Sequence, residues 1–212
     1  MDGCENSNSA RGCGRTAAAP GGGFIARQRT RPLGRKEACL THPLHFISDM
    51  LFEGTLPRGK AIPLVNVMLD AGADLNFQRS REDGKKSDTP LIGAASLGAE
   101  DVGLRLLAAG AKPDLRGLFG ETALHWAALL GEDRLVAELS RGSKVNLRDE
   151  KYNSPPLGWA IHGWCDPPAG NHSRQREVVA LLVAAGASVE PRWLEWERVR
   201  ADPQMLAALS RG

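Results

Sequence analysis

The chain has 212 residues, 42% hydrophobic and 25% charged, with a formal net charge of +2. That suits an ordinary globular chain with room for one sizeable core or a row of small units. Aromatics are only 5%, with Tyr152 the single tyrosine, so Leu, Val and Ala must do the packing, which favours close-packed helices over a β-sandwich. Residues 1–41 carry seven Arg or Lys against three acids, a net +4, and leave the rest at −2. A body that near to neutral excludes a broad electrostatic footprint for nucleic acid.

The four cysteines (Cys4, Cys13, Cys39 and Cys165) show no CxxC spacing, and three lie in or beside the tail; a disulfide framework is expected only in a small secreted domain. No apolar run reaches the roughly 18 residues that a membrane helix needs. The N-terminus lacks the apolar segment of a secretory signal. A cytoplasmic chain without a cofactor or membrane contact is the expectation.

In chain order, residues 1–40 read as a disordered basic tail. They contain Gly21-Gly22-Gly23 and a stretch from residue 11 to 36 without acids, but no sustained apolar periodicity. Such a segment buries too little surface to offset its ordering entropy. An organelle transit peptide and an over-long gene start remain alternatives, and nucleic-acid binding or targeting through this tail is a third functional reading.

From residue 42 the chain repeats itself. His42-Pro43-Leu44-His45-Phe46-Ile47 is echoed by Thr89-Pro90-Leu91-Ile92-Gly93-Ala94-Ala95, Thr122-Ala123-Leu124-His125-Trp126-Ala127-Ala128 and Pro155-Pro156-Leu157-Gly158-Trp159-Ala160-Ile161. Thr89, Thr122 and Pro155 stand 33 residues apart, and His42 lies 47 before Thr89. After each copy an apolar run ends on Gly72, Gly110, Gly142 or Gly186, where a left-handed C-cap is cheap for glycine. Each unit therefore reads as helix, turn, helix, glycine stop and an extended finger.

Two units are longer than the pattern. His42 to Gly72 spans nine residues more than Thr89 to Gly110, and Pro155 to Gly186 spans ten more. The expectation is an inserted inter-helix loop in each, at residues 53–63 and 165–175. Beyond residue 190, Asp202-Pro203 offers an N-cap followed by a proline at the first helical position. Met205, Leu206 and Leu209 follow at helical spacing, so residues 191–212 read as capping helices.

The 33-residue period and the Thr-Ala-Leu-His-Trp-Ala-Ala segment with Gly131 resemble the ankyrin-repeat family, with four units over residues 42–190. The resemblance implies an all-α ankyrin-repeat solenoid, with residues 41–190 as the array and a C-terminal helical cap. It also implies a non-catalytic, monomeric scaffold that binds a protein partner through its concave face. In the family the histidine of this motif bonds neighbouring turns, which gives Thr122 and His125 a structural role.

Carrying the family's recognition positions over by register gives Lys85, Lys86, Asp88, Ser96 and Leu97 in the second unit. The third supplies Leu118, Phe119, Glu121, Leu129 and Leu130, and the fourth Lys151, Tyr152, Ser154 and His162. The third unit's positions are mostly apolar, so Leu118, Phe119, Leu129 and Leu130, with Tyr152 and Leu97 beside them, read as one exposed patch. The other reading buries them under an inserted loop. A competing enzymatic reading places a metal between His162 and His172, although the spacing matches no zinc motif.

Overall fold

The computed structural model describes residues 42–79, 86–167 and 174–210. The tail, Lys85 and His172 lie outside these residues. The first unit is α1 (Pro43–Glu53) with α2 (Arg58–Asp70), and the second is α3 (Pro90–Ser96) with α4 (Glu100–Ala108). The third is α5 (Ala123–Leu130) with α6 (Asp133–Gly142), and the fourth is α7 (Pro156–Cys165) with α8 (Gln175–Ala184). Three short helices close the chain: α9 (Pro191–Glu195), α10 (Glu197–Arg200) and α11 (Pro203–Leu209). Among the described residues there is no β-strand, and no helix is long and apolar enough to cross a membrane. The architecture is the expected all-α repeat stack.

The repeated motif explains the inner helices. Pro43, Pro90 and Pro156 open α1, α3 and α7 at positions where the missing N–H would have no intrahelical partner anyway. Thr89 adds a cap, its hydroxyl accepting the Ile92 N–H at 3.2 Å. The leucine of each motif copy (Leu44, Leu91, Leu124 and Leu157) is buried. Small residues follow it, among them Ala94, Ala95, Ala127, Ala128 and Ala160, all fully buried. Small side chains let successive inner helices approach closely.

Two indoles fill the third and fourth units. Trp126 and Trp159, one period apart, meet edge to face with ring centroids 5.2 Å apart. Gly158 replaces the motif histidine in the fourth unit, after which the chain passes into the closing helices at Pro191. At Gly158, Ser154 Oγ lies nearest and the cap's Trp193 packs 3.4 Å from where a Cβ would stand.

Two expectations need correction. Helix α2 starts at Arg58 and runs through Pro63, so the first unit carries no long inserted loop. Of its nine extra residues, four lengthen α1, four lengthen α2 and one lengthens the link, relative to the second unit. The fourth unit does place most of its excess between α7 and α8. The glycine stops also differ. Gly72, Gly110 and Gly186 take φ of 80°, 97° and 89°, but Gly142 remains helical and the chain leaves α6 through an extended Ser143.

The two ends are unlike. At the C-terminal end Asp202 caps α11 by accepting the Gln204 and Met205 N–H groups at 3.0 Å, and its other oxygen pairs with Arg176 of α8 at 2.6 Å. At the opposite end lie the exposed large apolar side chains of the described residues, Phe46, Phe52 and Val67, all in α1 and α2.

Two units come close at Gly163, where an added Cβ would strike the Leu129 carbonyl of α5. Neither side is a movable side chain. Gly163→Ala is therefore expected to force α7 off α5 and lower stability by about 2 kcal/mol or more, measurable by urea denaturation.

Candidate functional site

Three fingers connect the units: residues 71–88, 109–121 and 143–154. The motif histidines join them to the inner helices. His125, fully buried, accepts the Thr122 N–H on Nδ1 at 3.1 Å, so its proton sits on Nε2, which donates to the Ser154 carbonyl at 3.2 Å. His45 Nε2 bonds the Phe77 carbonyl at 3.0 Å in the same way. Burial lowers the pKa of both rings from 6.5 to about 4, so both are neutral structural bridges.

Two buried carboxylates fold the fingertips. Glu121 accepts the Phe119 N–H at 2.8 Å and turns the second finger back on itself. Burial pushes its carboxyl up, opposed by its bonds to the Glu121 and Phe119 amides and to Trp126. Asp149 organises the third finger: Oδ1 accepts from the Lys151 and Tyr152 amides at 2.9 and 2.6 Å. Oδ2 accepts from the Ser154 amide and the Trp159 indole, both at 3.1 Å. The Phe119 carbonyl then takes the Glu150 N–H at 2.7 Å, tying the two tips together.

On this frame Lys151 reaches across both tips. Its ammonium lies 4.6 Å from the Phe119 ring centre and 5.2 Å from that of Tyr152. Tyr152 in turn meets Trp159 edge-on at 6.3 Å. Phe119 and Tyr152 are half-buried and Lys151 is exposed.

The structure breaks the expected apolar patch in two. Residues 123–129 of α5 are all buried, and that helix separates Phe119 from Leu130 by roughly 12 Å at 1.5 Å per residue. Leu129 is fully buried under α7, and Glu121 is buried as the finger's acceptor, so neither offers a contact surface. Ser154 is buried for the same reason. Of the other positions, Leu118 and Asp88 are half-buried and Lys86 is exposed, all on the fingers. Leu97, Leu130, Ser96 and His162 are half-buried at the far ends of their helices. Single-residue register could not reveal this division, because it follows from how α7 covers α5.

That far end is a charged junction between units. Arg58 donates to the Leu97 and Gly98 carbonyls at 3.0 and 2.6 Å. Glu100 accepts the Arg134 N–H at 2.9 Å. Gln175 donates to the Leu129 carbonyl at 3.0 Å. Beside them a cavity of about 200 Å³ is lined by Leu51, Arg58, Ala61, Glu100, Asp101 and Val102. Glu132, only 5% exposed, has neither carboxylate oxygen hydrogen-bonded among the described residues. Burial and then the Glu100 charge push its pKa up to about 8, against Arg58 and Arg174.

Near the second unit-length anomaly, burial lowers the His162 pKa, with Asp166 opposing. Among the described residues no group of three His, Cys, Asp or Glu side chains could hold a metal.

Two outcomes follow from these buried groups. Replacing Asp149 with Ala strands three amides and an indole, so a loss of about 3 kcal/mol or more is expected in chemical denaturation. For pH, the unfolded chain protonates its histidines near 6.5, above the folded value of about 4, so stability falls as pH drops through that window. Glu132 acts oppositely: the folded chain holds its proton from 4.5 up to about 8, so stability falls as pH rises there. Two histidines outweigh one glutamate below pH 6.5, which puts maximum stability near about pH 6.5. Thermal melts across pH should show it, and Glu132→Gln should flatten the alkaline side.

Comparison with known proteins agrees with this geometry. Residues 57–149 match the family model for ankyrin repeats, in three copies. The match runs from the start of α2 to the third finger, and α7 with α8 adds a helix pair of the same kind beyond it. No curated protein matches the chain. Motif, helix pairs, histidine bridges and family model converge: residues 57–149 are ankyrin repeats.

Proposed function

We propose that the chain is a non-catalytic protein-binding module that takes its partner on the tips of its second and third fingers. Ankyrin repeats generally serve protein–protein interaction. What supports this particular surface is the Phe119–Lys151–Tyr152 group. It presents two aromatic rings and an ammonium on adjacent fingers, each fixed from beneath by a buried carboxylate. A rigid aromatic group ringed by polar residues suits a binding hot spot, because its ordering entropy is already spent in the free protein.

Lys86 and Asp88 extend the surface along the first finger, and Leu118 flanks Phe119. Leu97, Leu130 and His162 belong to the inter-unit junction in this reading. Glu121, Leu129 and Ser154 act only as support.

The test compares wild type with a Phe119→Ser, Tyr152→Ser double variant, using the immobilised protein to capture partners from cell extract. Val67→Ser, at a side chain 64% exposed on α2, is the control. The double variant should lose captured protein that the control keeps, an affinity loss of about thirtyfold or more for about 2 kcal/mol. Its unfolding free energy should change by about 1 kcal/mol or less. Retention of the same partner by a folded double variant would overturn the placement. A stability loss of about 3 kcal/mol for Phe119→Ser alone would instead make Phe119 a core residue.

A further inference from the structure

The second and third fingers are nearly balanced in charge as sequence: residues 110–121 and 143–154 contain five bases and four acids. The fold separates them. Glu121 and Asp149 are buried as acceptors for backbone amides, and half-buried Asp114 accepts the Lys144 N–H at 3.0 Å. Lys112, Arg116, Lys144, Arg148 and Lys151 are all exposed, while Glu150 is the one exposed acid of these segments. Arg148 pairs with Glu190 at 2.9 Å, but Lys112, Arg116 and Lys144 pair with no carboxylate among the described residues. Acids inside and bases outside make a cationic strip where composition shows none.

We propose that this strip receives an extended, acidic segment of a protein partner. The inference rests on the fingertip reading above and names the chemistry of the occupant. Lys112 and Lys144 occupy the same position, two residues after Gly110 and Gly142, and Arg116 and Arg148 do likewise six residues after. Arg116 donates to the Arg148 carbonyl, so the copies are fixed against each other. Packed helices lie about 8–10 Å apart, which sets the interval between equivalent cations. A polyproline II segment advances about 3.1 Å per residue and returns every third side chain to one face, so carboxylates at every third residue match it. A single-stranded nucleic acid fits less well, because it needs open ring faces for its bases. Here Lys151 covers Phe119, and Tyr152 abuts Trp159.

The experiment measures fluorescence anisotropy of a labelled peptide carrying Glu at every third position. It compares the full-length wild type with a Lys112→Glu, Lys144→Glu variant. Among the described residues these two side chains make no hydrogen bond or ion pair, and it is their backbone groups that join the finger network. Charge reversal should weaken binding about tenfold or more, and raising salt from about 0.05 to about 0.5 M should weaken the wild type likewise. The idea fails if the peptide shows no binding at about 1 mM or binds the reversed variant equally. Tighter binding of an oligonucleotide of equal charge would overturn it in favour of nucleic acid. Applied to a partner captured through Phe119 and Tyr152, the reversal separates the two readings. If that partner survives reversal and high salt, the fingertip site stands and the acidic occupant alone falls.

Discussion

Backbone groups of the fingers have no helix to satisfy them, and the stack depends on side chains of the neighbouring unit doing so. Two residues after each of Gly110, Gly142 and Gly186, an N–H is taken by a side chain one unit earlier, and two residues after Gly72 by the histidine that opens the same unit. His42 Nε2 accepts from Asp74, Asn76 from Lys112, Asp114 from Lys144 and Asn146 from Ser188, at 2.8–3.0 Å. The carbonyls are served by His45, Gln78, Arg116 and His125. A polar backbone group left without a partner costs about as much as a lost hydrogen bond, so every unit requires the next. Stability is thereby a nearest-neighbour property, as in other repeat stacks.

This bonding scheme also decides where charge goes. Carboxylates that receive several amides are drawn inward, and Asp149 with four donors is the extreme case. The basic side chains of the second and third fingers accept nothing from these amides and stay exposed. Glu132 shows the converse: buried without a donor among the described residues, it holds its proton to about pH 8. The same residue type is thus an ordered acceptor at the fingertips and a neutral acid at the far end of α5.

The ends of the stack follow the same rule by different means. After the fourth unit the chain passes from Gly186 into the closing helices at Pro191, and the motif histidine is replaced by Gly158, where Ser154 Oγ lies nearest and Trp193 of the cap packs 3.4 Å from the Cβ position. Asp202 then anchors the last helix to α8 through Arg176. The first unit lengthens both of its helices instead, and its outer side keeps Phe46, Phe52 and Val67 in contact with solvent.

The repeat was legible because a periodic fold writes its pattern locally. The motif copies at Thr89, Thr122 and Pro155, the leucines behind them and the Asp202-Pro203 cap are each defined within a few residues, so sequence alone determined the helix pairs, their order and the closing helices. Asn76, Asp114 and Asn146 recur four residues after their glycines and could have been read the same way; their partners lie one unit on, which only stacking reveals. What sequence could not determine is exposure. Leu129 and Leu130 are adjacent in the motif, yet α7 lies on one at Gly163 and leaves the other half open. Nine extra residues in the first unit became helix rather than loop because α1 and α2 could each extend. The cationic fingers, too, exist only after folding, since burial of their acids depends on amides that converge from separate turns.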